Sequence, residues 1–213
     1  GLTPGKTVAI SLIDENPSLG WSEVVQAIGY NEVLAEGGAL TPVTESNTDV
    51  HPRSAIGIKE DGTVVLFQVD GRQPGWSNGL TYKQIAEHLV YNEGCQTVVN
   101  LDGGGSSTLT VRLPGNESAE ILNSPSDGFE RSNSNALLFF TEKKPDENKV
   151  PALLHNYPNN LVILEGAAIR VVTKATDVNY FSVPTPSGLS YEVKGDIGAI
   201  DGDGVFTAKK GAG

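Results

Sequence analysis

Thr97-Val98-Val99-Asn100-Leu101-Asp102-Gly103-Gly104-Gly105-Ser106-Ser107 opens as a strand and closes as a loop. The run over 97–101 is bulky and uninterrupted, the pattern of a strand in the middle of a sheet. It delivers one carboxylate, Asp102, onto three glycines and two hydroxyls, so little side-chain bulk separates that carboxylate from a bound ligand. Glycines lack a Cβ, and their backbone N–H groups can line a concave surface suited to phosphate or sulfate oxygens. The loop is not a P-loop, because the lysine and the spacing of that motif are absent. The next stretch, Thr108-Leu109-Thr110-Val111-Arg112-Leu113, alternates with period two as a strand does, so no helix N-terminus stands behind the glycines. A tight strand-to-strand connection with no ligand is the competing reading, since glycine-rich turns are common.

On both sides of this segment, charged clusters recur at the ends of apolar strands, which is where an α/β scaffold presents reactive groups. Upstream stand Arg53-Ser54-Ala55-Ile56-Gly57, the turn Asp61-Gly62, an apolar run over 63–69 and then Asp70-Gly71-Arg72. Downstream stand Asp127-Gly128-Phe129-Glu130-Arg131 and Asn133-Ser134-Asn135, followed by an apolar strand over 136–140. The elements RSAIG, DGR, NLDGGGSS and ER…NA, with a T..QIAEHL helix between the second and third, resemble the phosphodiester glycosidase family over residues 5–140. The resemblance implies that residues 1–141 form the later portion of a catalytic domain. An earlier portion, or a second polypeptide, would then complete the sheet.

The remaining elements come from period and punctuation. A short strand is expected over 7–12 and a helix over 23–34, with Val24, Val25, Ile28 and Val33 on its apolar face and Gly37-Gly38 ending it. Residues 41–52 read as a loop, and 54–58 with 63–69 as a hairpin across Glu60-Asp61-Gly62. Thr81 followed by Gln84 is a capping-box pattern, with Ile85, Ala86, Leu89 and Val90 on one helical face and Gly94 as the stop. Strand pair, helix and further strands mix hairpin and crossover connections, so the expected fold is α+β, a mixed β-sheet with flanking helices. Residues 142–151 (EKKPDENKVP) are charged, hold two prolines and read as a linker. Past it, strand-like runs at 160–164, 168–173, 189–193 and 204–208 make 152–213 a small all-β segment. The stretch IGAIDGDGVFTAKKGAG resembles part of a bacterial group 2 immunoglobulin-like domain, which implies a spacer or adhesive role on a bacterial surface.

Composition narrows the partners. The 213 residues carry a net charge of −11, with 10 Lys+Arg against 20 Asp+Glu up to residue 150 and 5 against 6 beyond it. An acidic surface of this kind argues against nucleic acid or an anionic membrane, and no apolar stretch reaches the roughly 20 residues that span a bilayer. Cys95 is the only cysteine, so no intrachain disulfide forms, and a small buried apolar role suits it best. His51, His88 and His155 are scattered, without ligand spacing for zinc. Asp70, Asp102 and neighbouring carbonyls are hard donors of the kind calcium or magnesium takes, yet no loop has EF-hand spacing. No cofactor or metal is predicted.

The family resemblance implies a hydrolase that cleaves between a sugar anomeric carbon and phosphate in a sugar-1-phosphodiester, while composition agrees with a secreted or cell-surface protein and the immunoglobulin-like resemblance implies a bacterial one. Such chemistry passes through an oxocarbenium-like state and needs carboxylates at the anomeric centre and donors around the phosphate. Asp102 is the leading carboxylate, and Asp70 and Glu130 are candidates for the second acid or base. Arg53, Arg72 and Arg131 are candidate phosphate ligands because a guanidinium fork matches two phosphate oxygens. Gly103, Gly104, Gly105, Ser106 and Ser107 would add backbone and hydroxyl donors. Bland roles compete: Asp70 beside Gly71 suits a turn, Glu130 with Arg131 suits a solvated pair, and Asn100 and Asn135 suit buried backbone. Trp76 suits either sugar stacking or a packing lid. The contrasting function is a non-catalytic surface-layer or matrix protein that uses a glycosidase-like sugar-binding module.

Overall fold

The computed structural model describes residues 20–133 and 136–210, together with Pro4, Gly5, Thr7 and Ser18; all but Thr7 of the strand expected over 7–12, and Asn135, lie outside the described residues. Five strands make the main sheet: β1 (Glu32–Glu36), β2 (Ala39–Leu40), β3 (Arg53–Lys59), β4 (Val64–Val69) and β5 (Cys95–Gly103), in the order β2-β1-β5-β3-β4. The glycine-loop strand is the central one, as its apolar run predicts. Among the described residues every pairing in this sheet is antiparallel, where a mixed sheet is expected from the sequence. The expected helical crossover does exist between β4 and β5. Those two strands run the same way but lie on either side of β3, so the crossover creates no parallel pairing.

Helix α2 (Tyr82–Glu87) starts at the predicted cap, where Thr81 accepts from the Gln84 backbone and the Gln84 side chain accepts from the Thr81 backbone. It runs on as a π-turn through His88–Asn92 and stops at Gly94, whose φ of 77° suits only glycine well. Ile85, Ala86 and Leu89 press on Leu34, Ala35, Ala55, Val98 and Cys95, all buried, to make the core on one face of the sheet. Burial pushes the Cys95 thiol up, so it stays a protonated packing residue.

Three expectations fail here. Residues 24–31 are not helical, and Val33 lies in β1, while Val24, Val25 and Ile28 are exposed. Gly37-Gly38 ends no helix; with φ of 58° and 76° it is the two-residue turn of the β1–β2 hairpin, the conformation a type I′ turn demands. A register shift between Val33 and Ala35 brings both Leu34 and Ala35 into the core, which erases the period-two signal of a strand. A short helix α1 (Val43–Ser46) interrupts the expected loop, with buried Thr44 donating to Thr41. Residues 136–140 form no strand, because no described strand pairs with them, and Leu138, Phe139 and Phe140 are exposed.

Past the sheet, β6 (Thr110–Val111) and β7 (Glu120–Ile121) form a small hairpin. The C-terminal part is all-β: β8 (Leu153–Tyr157), β9 (Ala168–Arg170), β10 (Val172–Thr176), β11 (Ser182–Val183), β12 (Gly198–Ile200) and β13 (Val205–Ala208). They form two antiparallel three-stranded sheets, β11-β10-β8 and β12-β13-β9, and the chain changes sheet at Val171. The runs at 160–164 and 189–193 are not strands; Val162 and Leu164 point into solvent.

The linker is stapled to this module by Asp177, which is fully buried. Its carboxylate accepts from the backbone of Asp146 (2.7 Å), Asn179 (2.8 Å) and Phe181 (2.9 Å). Burial alone would raise this carboxyl, but the three backbone donors outweigh it and hold it below the ordinary value. A depressed folded-state pKa contributes stability that is present above the unfolded value, about 3.9, and is lost as pH falls through the folded one. Melting curves followed from neutral pH into acid should therefore show stability falling on the acid side of about pH 4. Asp177→Asn cannot titrate and should lose that part of the profile; an unchanged acid limb in the variant would contradict the assignment.

Candidate active site

β5 carries Asp102 near its end, one residue before Gly103, which is still paired with Arg53 and leads into the glycine loop. The carboxylate is exposed, and its Oδ1 accepts from the Gly103 backbone at 2.9 Å. The loop then closes a 3₁₀ turn over Gly104–Ser106, anchored by Gly104 N donating to Pro52 O at 2.9 Å. Two of the three glycines are set by close approach. Arg72 Nη1 lies 2.9 Å from where a Cβ on Gly104 would stand, and Gly104 has a φ of 75°. A Cβ on Gly105 would overlap the Asp127 carboxylate and the Arg131 guanidinium. The glycines thus let two guanidinium groups close on the loop backbone, Arg72 at Gly104 and Arg131 at Gly105.

Beside the loop lies a cavity of about 450 Å³ lined by Asp102, Ser106, Leu101, Ser54, Gln68, Asn31 and Thr108. A second cavity of about 400 Å³ holds Thr110, Glu130 and Arg131 and shares Thr108, Asn133 and Ala136 with the first. Arg131 is oriented by Asp127, with Nε and Nη2 donating to Oδ2 at 3.1 and 2.5 Å, and its Nη1 reaches Ser106 Oγ at 3.5 Å. Both partners of that pair are solvent-accessible, so it adds little stability and serves to aim the guanidinium. The hydroxyl of Thr108, on the shared wall, is buried and has no hydrogen-bond partner among the described residues.

Residues 1–140 match the family model described as phosphodiester glycosidase. The chain belongs to the phosphodiester glycosidase family. It is also 43% identical over 82 residues to the SPbeta prophage-derived uncharacterized protein YomE of Bacillus subtilis (strain 168), a match that covers 38% of this chain and 12% of that protein. The chain thus spans only a small part of the length of that curated relative.

Within the phosphodiester glycosidase domain, the candidates divide by environment. Asp102 and Ser106 share one cavity, Glu130 and Arg131 the adjoining one, and Arg72 packs on Gly104. Arg72 is held with φ at 56°, a left-handed conformation that costs a non-glycine residue of order 1 kcal/mol or more. Its Nε and Nη2 each lie 3.4 Å from His51 Nδ1. Asp70, by contrast, is occupied: Oδ2 accepts from Trp76 Nε1 at 2.9 Å and Oδ1 from Ser124 N at 2.8 Å. Arg53 is buried on the helix side of the sheet, where Nε donates to Leu80 O (3.2 Å), Nη2 to Asp49 O (2.9 Å), and the guanidinium stacks 4.0 Å from the Tyr82 ring centroid. Strand pleating sends its neighbour Ser54 to the cavity face instead. Ser107 is buried below the loop, 3.4 Å from Ser54 Oγ. Asn100 is buried and donates to Leu101 O at 2.6 Å, a backbone-satisfying role.

Sequence reasoning missed Ser54, Gln68 and Asn31. Ser54 and Gln68 are cross-strand partners joined by a 2.6 Å hydrogen bond on the cavity face. The signal was Gln68 itself, a polar residue at a same-face position after Val64 and Leu66. Trp76 keeps 72% of its surface exposed while its indole N–H is tied to Asp70, so one ring edge is fixed and the face is free. Among the described residues no group of three or more His, Cys, Asp or Glu side chains gathers to hold a metal. Among them, too, no helix is long and apolar enough to cross a membrane.

Proposed function

We propose that this domain hydrolyses the bond between the anomeric carbon of a sugar and a phosphate oxygen in a sugar-1-phosphodiester of a surface or extracellular glycan. The observation that carries the reading is the pair of adjoining cavities. One presents an exposed carboxylate beside neutral hydroxyl and amide groups and apolar side chains such as Ile56, Phe67 and Leu109, the mixed company a sugar ring needs, and the other presents an aimed guanidinium. Family membership supports a glycosidase-type hydrolase with carbohydrate as the substrate class.

In this reading Asp102 acts at the anomeric carbon. Glu130 is the second acid or base, and Arg131, Arg72, Ser106 and the backbone amide of Gly105 hold the phosphate, while the Gly103 and Gly104 amides are taken by Asp102 and Pro52 and shape the turn. The phosphomonoester leaves as a weakly basic anion, so donors around the departing oxygen matter more than a strong general acid. Asp70, Arg53 and Ser107 belong to the framework: Asp70 ties the Arg72–Trp76 loop to Ser124, Arg53 fixes the start of β3, and Ser107 underlies the glycine turn.

Incubation of the protein with a panel of hexose and hexosamine 1-phosphodiesters tests the proposal. Free sugar should appear without added nucleotide or redox cofactor. Saturable binding of the sugar with no release would instead support the non-catalytic, sugar-binding alternative.

A further inference from the structure

One hairpin joins the cavity wall to the C-terminal module. Its base carries Thr108, Leu109 and Thr110 along the cavities. There Asn123 Oδ1 accepts from Leu109 N at 2.8 Å, its Nδ2 donates to Ser107 O at 2.9 Å, and Gln73 and Ser124 exchange two hydrogen bonds at 2.6 and 2.9 Å. The tip, a turn closed by Asn116 N donating to Leu113 O, rests on the module. Lys174 Nζ donates to Asn116 Oδ1 at 2.5 Å, Tyr157 Oη donates to Pro114 O at 2.9 Å, and the Arg112 guanidinium lies 4.8 Å from the Phe181 ring centroid. The fit is close: a Cβ on Gly115 would stand 2.5 Å from Lys174 Cβ, and Asn116 is only 6% exposed.

Strands β6 and β7 have two residues each, and a lone two-stranded hairpin is at best marginally stable in water. Something outside it must hold it in place. The linker is itself bound to the module, with Asp146 N on Asp177 and Asn179 Nδ2 donating to Lys144 O at 3.0 Å, and the module in turn touches the hairpin tip through Lys174, Tyr157 and Phe181. We propose that the C-terminal β-module braces the candidate site through this hairpin, with Lys174 and Tyr157 as positioning residues that hold the Thr108–Thr110 wall in its binding conformation. The role assigned to that wall rests on the proposed function; the mechanical coupling does not.

The test uses the full chain with Lys174→Met, Tyr157→Phe and the double variant, plus Asn116→Ala, which loosens the same contact without altering the module. Hydrogen exchange of amides 107–124 and steady-state kinetics are read together. The double variant and Asn116→Ala should exchange the hairpin amides about tenfold faster while α2 amides keep their protection. KM should rise about fivefold with kcat nearly unchanged, because substrate must then select a less populated wall conformation. A merely less stable protein would lower apparent kcat and leave KM alone. Unchanged hairpin exchange in both Asn116→Ala and the double variant overturns the brace, as does faster exchange with unaltered KM in an active protein. Faster exchange in a protein that releases no sugar before or after substitution upholds the coupling and rejects the proposed function.

Discussion

Asp102→Asn is expected to lower sugar release by at least about a hundredfold, the range for loss of a positioned acid or base, with the melting temperature almost unmoved. The separation is clean because of how little the carboxylate does for the fold. It is exposed and accepts one hydrogen bond from the adjacent Gly103 N–H, which an amide oxygen accepts equally well. Exposed substitutions of this kind usually shift stability by about 0.5 kcal/mol or less. What asparagine cannot supply is negative charge opposite a developing oxocarbenium ion, or a nucleophilic oxygen. Near-normal turnover would remove Asp102 from the catalytic set and move the role to Glu130.

The opposite pattern is expected at Arg53. Arg53→Ala leaves the carbonyls of Leu80 and Asp49 without their guanidinium donor and removes the stack on Tyr82, all at a position only 6% exposed. Charge-assisted hydrogen bonds and a desolvated cation–π contact together make the expected loss roughly 2–4 kcal/mol in urea unfolding. At low temperature, where the variant remains folded, kcat/KM should change by less than about threefold, a difference below 1 kcal/mol. Full stability with abolished turnover would return Arg53 to the substrate.

Asp102 and Arg53, set side by side, show what was legible in the residues. The central strand, the β3–β4 hairpin and the capped helix each carried redundant local signals, period and punctuation agreeing, and the structure has all three. The three glycines were legible as a place of close approach or a tight turn, and the approach of Arg72 to Gly104 and of Asp127 and Arg131 to Gly105 shows the first. What could not be read was direction: Arg53 and Ser54 are adjacent in sequence, yet the pleat sends one into the framework and the other to the cavity. Nor was commitment legible, because Asp70 reads as a free acid until Trp76 and Ser124 fold onto it. Residues 23–34 misled for a different reason. Val24, Val25, Ile28 and Val33 fall at helical spacing by coincidence, and the Gly37-Gly38 turn, which marks a hairpin as readily as a helix end, was the better guide.

Everything proposed for Asp102 depends on which bond breaks, and isotope position settles that better than any rate. Hydrolysis of a sugar-1-phosphodiester by the protein in water enriched in oxygen-18, with mass spectrometry of both products, tracks the incoming oxygen. Attack at the anomeric carbon in the Asp102 cavity places the label in the released sugar and leaves the phosphomonoester unlabelled. Label in the phosphomonoester, with none in the sugar, would mean cleavage at phosphorus and would rule out a glycosidase mechanism at this site.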